Sequence, residues 1–281
     1  MTETVRIAIN RATEELADAK VDSPRFEAEL LLARATGWPR PVVLIHTERT
    51  VPEEALAKFH ELVAQRCRRR PLQQILGDTE FFGLKILVDE NVLVPRPETE
   101  LLVEQVIKRW KPGFRTILDI GTGSGCLAAA LAKNLPECSV DAVDISEPAL
   151  KTARRNIELH GLEPRVKLIS ADLFPENGLK YDVIVSNPPY IPSDRIEGLM
   201  PEVSVYEPRS ALDGGPDGLR CYHRMAERIG DYVARPGLVV LEVGQGQAEA
   251  VSDIFIASIE KSEAEIIPDL SGNKRAVVVS T

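Results

Sequence analysis

Apolar residues recur at helical spacing at the start of the chain, where Val5, Ile7, Ala8, Ala12, Leu16 and Ala19 fall between Thr2 and Ala19. A second helix is signalled by Ser23 as N-cap, Pro24 in the first turn and Glu27 behind it, with an apolar face through Phe26, Leu30, Leu31 and Leu32 to Gly37. A short helical piece follows Pro41. Thr50 and Pro52 open a longer helix with Leu56, Phe59, Leu62 and Val63 on one face, which completes a small all-α bundle over residues 1–70. The rhythm then changes. Gln73–Leu76 and Phe81–Val88 are rich in strand formers and predict a β-hairpin linker within residues 71–95. Pro95-Arg96-Pro97-Glu98-Thr99-Glu100 introduces a helix through Leu101, Leu102, Val103, Val106 and Ile107.

Residues 96–281 then alternate strand and helix. Strands are expected at Thr116–Ile120, Val140–Ile145, Val166–Ser170, Tyr181–Ser186 and Leu238–Val243, and helices at Cys126–Asn134, Ser146–His160 and around Leu219–Val233. This pattern predicts a Rossmann-like α/β fold, a mostly parallel sheet covered on both faces. Ala264–Ile267 and Ala276–Val279 are joined by a Gly-Asn turn region too short for a crossover helix, so they should close the sheet as an antiparallel C-terminal hairpin.

Composition adds bounds. Hydrophobic content of 44% with 27% charged residues suffices for a core. No apolar run approaches the roughly 20 residues of a membrane span and no signal-peptide core precedes Arg11, so a cytoplasmic protein without a membrane partner is expected. The four cysteines form no Cys-x-x-Cys pair and the four histidines do not cluster, which points to reduced thiols and no metal. Charge is uneven: residues 1–72 hold 12 Lys and Arg against 11 Asp and Glu, and residues 73–281 hold 22 against 32. An acidic main domain matches a basic protein partner or a cationic cofactor better than a nucleic-acid backbone, although acidity also serves solubility. Arg66, Arg68, Arg69 and Arg70 close the last helix of the bundle, where they complement its dipole or reach an RNA or partner.

Two constellations carry chemistry. Ser186-Asn187-Pro188-Pro189-Tyr190 ends the strand Val183–Val185 abruptly, because proline has no N–H to continue a ladder and leaves the carbonyls of Asn187 and Pro188 able to accept hydrogen bonds. The Asn187 side chain adds an acceptor and Tyr190 a flat face, an arrangement suited to a planar NH₂ group; a plain Asn-Pro turn is the alternative. Gly121-Thr122-Gly123-Ser124-Gly125 lies between a strand and a helix, where backbone can approach a ligand. Its spacing is neither the dinucleotide fingerprint nor a phosphate loop. Asp144 ends the next strand 19 residues after Gly125, the place of a ribose-binding acid, and Asp172 after the third strand can reach an adenine amino group. Each acid alone reads equally as a strand-end cap. Together they point to an adenosyl ligand at the carboxyl ends of consecutive strands.

Asp119-Ile120-Gly121-Thr122-Gly123-Ser124-Gly125, Val143-Asp144-Ile145-Ser146, Ala171-Asp172-Leu173-Phe174 and Asn187-Pro188-Pro189-Tyr190-Ile191 resemble the motifs of class I methyltransferases that modify a nitrogen. Pro71-Leu72-Gln73-Gln74-Ile75-Leu76-Gly77, Phe81-Phe82-Gly83, Leu93 through Glu100, Tyr206-Glu207-Pro208-Arg209-Ser210-Ala211-Leu212 and Ser23 through Glu29 narrow the resemblance to the release factor glutamine methyltransferases. Leu173 stands where some relatives carry Trp.

The resemblance implies a helical substrate-recognition domain at 1–70, a hairpin link at 71–95 and a methyltransferase domain at 96–281 with a seven-stranded sheet. It implies S-adenosylmethionine as cofactor and S-adenosylhomocysteine as product, held by Gly121, Thr122, Gly123, Ser124, Gly125, Asp144, Ile145, Asp172, Leu173 and Asn187. The substrate would be the glutamine of the Gly-Gly-Gln loop of class I peptide-chain release factors, bound by Asn187, Pro188, Pro189 and Tyr190. Asn187, Pro188 and Tyr190 would act in catalysis, in a monomer that binds no nucleic acid directly. Phe81, Phe82, Glu98 and Thr99 are candidates for the pocket's other wall. Gly244-Gln245-Gly246 reads as a strand-to-helix turn. A glutamine methyltransferase of a ribosomal protein, a methyltransferase of nucleic-acid base amino groups, and a cofactor-binding scaffold without catalysis are the rival readings.

Overall fold

The computed structural model describes residues 3–281, which fall into two compact units. The first comprises the described residues up to Gly77 together with Met200–Tyr206. Its helices are α1 (Val5–Asp18), α2 (Pro24–Thr36), α3 (Arg40–Ile45), α4 (Glu53–Cys67) and α5 (Leu72–Leu76), and the segment Met200–Tyr206 contributes one turn, α9 (Pro201–Ser204). The predicted start at Thr2 lies outside the described residues; Thr4 caps α1, its hydroxyl accepting from Ile7 N at 3.4 Å. Val5, Ala8, Ala12, Leu16, Leu31 and Phe59 are among the side chains that fill this core, each large one stabilising by about 1.5–3 kcal/mol. Two expectations change here. Ser23 stands at the N-cap of α2 but its side chain makes no capping bond. Phe26 is 47% exposed, because at 3.6 residues per turn it lies opposite Ala28, and the Arg40 guanidinium stacks on its ring at 4.6 Å.

The arginine run serves neither a helix dipole alone nor an open basic face. Arg66 is buried and donates to Glu27 at 2.5 Å and Glu202 at 2.8 Å, while Arg69 grips both oxygens of Glu202 at 2.6 and 2.8 Å. Gln73–Leu76, read as strand, forms α5 instead. Pro71 precedes its first turn and Gly77, at φ +80°, ends it in the left-handed conformation that favours glycine.

In the second unit the hairpin pairs β1 (Asp78–Phe81) with β2 (Leu84–Leu87), wholly inside the segment predicted to span a longer linker. Phe82 and Gly83 both have positive φ, the requirement of the two-residue turns whose twist matches a hairpin. Helix α6 (Glu100–Arg109) follows a 3-10 turn at Pro97–Thr99. Then come β3 (Thr116–Ile120), α7 (Cys126–Asn134), β4 (Ser139–Asp144), α8 (Glu147–Leu159), β5 (Val166–Ser170), β6 (Tyr181–Ser186), α10 (Arg220–Ala226), α11 (Ile229–Tyr232), β7 (Val233–Glu242), α12 (Ala248–Ser258), β8 (Glu263–Pro268) and β9 (Lys274–Ser280). The single helix expected around Leu219–Val233 is therefore two short ones. Helix α12 follows Gly244-Gln245-Gly246, the expected strand-to-helix turn, with Gln247 at its N-cap making no side-chain capping bond.

The seven strands run in the order β5-β4-β3-β6-β7-β9-β8, with β3 to β7 parallel and β9 antiparallel to both β7 and β8. Alternation sends Ile117, Val140, Val183 and Val240 to one face beneath α6, α7 and α8, and Leu118, Val143, Ile184 and Val239 to the other beneath α10, α11 and α12. The chain leaves β3 toward β4 on one side and returns to β6 on the other. A crevice at the carboxyl ends follows from that reversal. Among the described residues no helix is long and apolar enough to cross a membrane.

Candidate active site

The turn after β3 is built by backbone. Gly121 N and Thr122 N both donate to Val143 O of β4, at 2.8 and 2.9 Å, and Gly121, Gly123 and Gly125 take φ of +72°, +54° and +78°. A Cβ on Gly125 would press against Ala153 of α8 at 3.2 Å, whereas one on Gly121 would meet no protein atom within 4 Å and would instead enter open space. Asp144 holds the loop from the neighbouring strand: its two oxygens accept from Gly123 N and Ser146 N, both at 2.8 Å. Burial nevertheless raises its carboxyl above the ordinary range, against those bonds. Asn156 of α8, fully buried, donates to Ser124 O at 2.8 Å and bonds both backbone groups of Leu87, so it ties the loop to the hairpin. Nothing in the sequence singles it out.

At the end of β6, Asn187 Nδ2 donates to Thr99 Oγ1 at 3.1 Å, and Thr99 Oγ1 donates to Glu242 Oε2 at 2.6 Å. Glu242 is the last residue of β7, and its neighbour Leu241 pairs with Ser186, so parallel register alone brings Asn187 and Glu242 side by side. Tyr190 OH donates to Glu242 Oε1 at 3.3 Å while its ring packs on the second core cluster. Burial pushes Glu242 up to about 7, and raises the Tyr190 hydroxyl. Pro188 is buried. Gln247 donates to Tyr190 O at 2.9 Å and accepts from Gly244 N at 3.0 Å, so the Gly244 turn acts as a brace for the Asn-Pro-Pro-Tyr segment. A Cβ on Gly218 would lie 2.2 Å from that same Tyr190 carbonyl.

The two remaining motifs have local explanations. Glu207, buried, accepts from Val94 N at 3.0 Å and from Arg96 at 2.5 Å, which clamps the entry to Pro97. Glu100 accepts from Phe82 N at 2.7 Å and so secures the hairpin turn. Of the residues proposed for the other wall, Thr99 lines the cavity, Phe81 is 1% exposed in the core, Phe82 packs on that core and Glu98 faces solvent. Glu242 and Gln247 were not legible as site residues. A glutamate ending an apolar strand was the only signal for the first.

These elements enclose a cavity of about 490 Å³ whose lining includes Gly121, Gly123, Asp144, Ile145, Leu173 and Asn187. That volume suits a cofactor-sized ligand. Ile145 leaves 67% of its surface exposed at the rim, and Leu173 holds φ +70°, a conformation that costs a bulky residue free energy and persists where structure overrides it. Thr122 and Ser124 are buried in the loop. Asp172 also lines the cavity, half exposed and paired with Arg224 at 2.7 Å. An open cradle under Gly121, a carboxylate beside it and apolar surfaces flanking both fit the adenosyl part of S-adenosylmethionine.

Comparison with known proteins places this architecture. The family described as PrmC N-terminal domain matches residues 8–77, and the methyltransferase small domain matches residues 97–204. A release factor glutamine methyltransferase of Geobacter sulfurreducens is 44% identical over 253 residues, covering 90% of this chain and 88% of its own length. That of Moorella thermoacetica is 41% identical over 274 residues, covering 97% and 96%. Among solved structures, a methyltransferase from Pyrococcus furiosus aligns with a TM-score of 0.52 at 21% identity, over 71% of this chain and 90% of its own. The hMettl16 catalytic domain in complex with MAT2A 3'UTR hairpin 6 aligns with a TM-score of 0.54 at 16% identity, over 83% of this chain and 84% of its own. At these identities the structural likeness shows the fold alone. Identity across nearly the full length of both chains decides the assignment: this chain belongs to the release factor glutamine methyltransferases.

Proposed function

We propose that this enzyme methylates the side-chain amide nitrogen of the glutamine in the Gly-Gly-Gln motif of class I release factors. The observation that carries the chemistry is the commitment of Asn187 Nδ2 to Thr99, which leaves Oδ1 as the acceptor of a side chain that lines the same cavity as the glycine loop. S-adenosylmethionine, when bound, supplies a methyl group on a positively charged sulfur. The protein's own part is to hold the nucleophile. An amide nitrogen is weak because its lone pair is delocalised into the carbonyl, and it must pyramidalise to react. Asn187 Oδ1 and the Pro188 carbonyl accept its two hydrogens, favour that geometry and stabilise the positive charge that develops on nitrogen. Tyr190 closes one side of the slot. The methylated amide is then acidic enough to release its proton to water, so no strong base is needed at this position.

A base amino group offers the same two hydrogens, so local chemistry alone does not separate protein from nucleic acid; the relatives favour the release factor. The helical unit grips that protein, and its α3 presents Ile45 at 73% and Leu44 at 43% exposure. The enzyme works as a cytoplasmic monomer without nucleic acid. The test is transfer of labelled methyl to purified class I release factor, beside a copy with the motif glutamine replaced, a ribosomal protein fraction and nucleic acid. Label is expected on the intact release factor alone; label on either other substrate with none on the release factor would overturn the proposal.

A further inference from the structure

We infer that Thr99 and Glu242 form a positioning relay that decides which atom of the Asn187 amide faces the substrate. The inference rests on Asn187 as the acceptor for the glutamine amide. An asparagine amide can sit in two nearly isosteric flips, one of them presenting Oδ1 to a neighbour and the other Nδ2. Only Oδ1 can accept from the hydrogens of a substrate amide. In the opposite flip, donor would face donor and the amide nitrogen would be pushed out of reach.

The relay removes the ambiguity by counting protons. A threonine hydroxyl has one, and Thr99 spends it on Glu242 Oε2 at 2.6 Å. Toward Asn187 the hydroxyl can then only accept, which it does from Nδ2 at 3.1 Å. Flipping Asn187 would set Oδ1 against the Thr99 lone pairs, an unmatched pair of acceptors in a site where Thr99 is 3% and Glu242 2% exposed. The second carboxylate oxygen accepts from Tyr190 OH, so the direction of the chain is set from two sides. Arg275 and Glu98 act on Glu242 at longer range, and Tyr222 OH donates to its backbone carbonyl at 2.8 Å. Neither Thr99 nor Glu242 needs to touch substrate. Both act through Asn187, and the negative charge at the end of the relay adds to stabilisation of the cationic nitrogen.

Thr99→Val keeps the shape and deletes the hydroxyl; Thr99→Ser restores it. Assayed at pH 8.5, where Glu242 is a carboxylate, Thr99→Val is expected to lose about 10- to 100-fold in kcat, less than the roughly 10²- to 10³-fold of losing a donor that touches the transition state, because Thr99 acts through Asn187. The KM for release factor and the Kd for S-adenosylmethionine should not move, and Thr99→Ser should stay within about threefold of the parent. In Asn187→Ala the Thr99→Val change should add nothing, because the residues act as one unit. A readout independent of turnover is the ¹⁵N side-chain amide signal of Asn187 in the cofactor-free protein: one of its protons should exchange slowly, should become fast in Thr99→Val and should recover in Thr99→Ser. Parental kcat and slow exchange in Thr99→Val, with Asn187→Ala inactive, would overturn the relay and leave the role of Asn187 standing. Multiplicative losses in the double variant would overturn it as well. Parental kcat in Asn187→Ala would sink the acceptor role itself, and the relay with it.

Discussion

Asp119 has no exposed surface, and burial, reinforced by nearby Asp144, raises its carboxyl to about 7 although Thr122 Oγ1 donates to it at 2.6 Å. The unfolded chain releases this proton near the ordinary value of 3.8, the folded chain near 7. Stability from this group is therefore fully present below pH 4 and is lost as pH rises toward 7, by at most about 4 kcal/mol at 1.36 kcal/mol per unit. Glu242, raised to about 7 from 4.5, acts in the same direction. Asp119→Asn keeps an acceptor for Thr122 and removes the titration. Urea midpoints measured from pH 5 to 8 should fall less in this variant than in the parent; parallel curves would show that Asp119 does not hold its proton. The sequence placed Asp119 in the glycine-loop motif, but its charge state depends on a seal that only packing provides.

At the scale of elements, α4 ends in a device that the sequence misdirects. Four arginines at a helix end read as dipole compensation or a basic face, yet Arg66 and Arg69 meet Glu202 from 133 to 136 residues away, and Arg66 meets Glu27 from 39 away. Removing Arg66 leaves Glu27 without its arginine and Glu202 with Arg69 alone, in a site where the Arg66 side chain is 6% exposed. Arg66→Ala is expected to destabilise the helical unit by about 3–5 kcal/mol in denaturant unfolding, and Arg68→Ala by less than about 0.5. Equal effects would contradict the pairing. The hairpin teaches the complementary point. Phe81 through Val88 is apolar enough to look like one strand, and the turn hidden at Phe82-Gly83 becomes visible only once Phe81 is seen to pair with Leu84.

For the whole molecule, the proposed grip of the helical unit on the release factor would make recognition separable from chemistry. Ile45→Asp on α3, remote in sequence from every cavity residue, is expected to raise the KM for release factor roughly tenfold, the scale of one interface anchor, with kcat and Tm unchanged. A lowered kcat at unchanged KM would argue against a docking role for this face. What the sequence determined by itself was local or periodic: the helical bundle, the alternation that yields a parallel sheet, the antiparallel end, the glycine loop and the Asn-Pro-Pro-Tyr strand stop. These follow from spacing and backbone restriction, which any short window of chain contains. Tertiary structure alone decided what meets what. Register between β6 and β7 put Asn187 beside Glu242, the entry to α6 supplied Thr99 between them, and Asn156 crossed from α8 to the glycine loop. Buried hydrogen-bond partners are chosen by distance in space, and distance along the chain does not encode it.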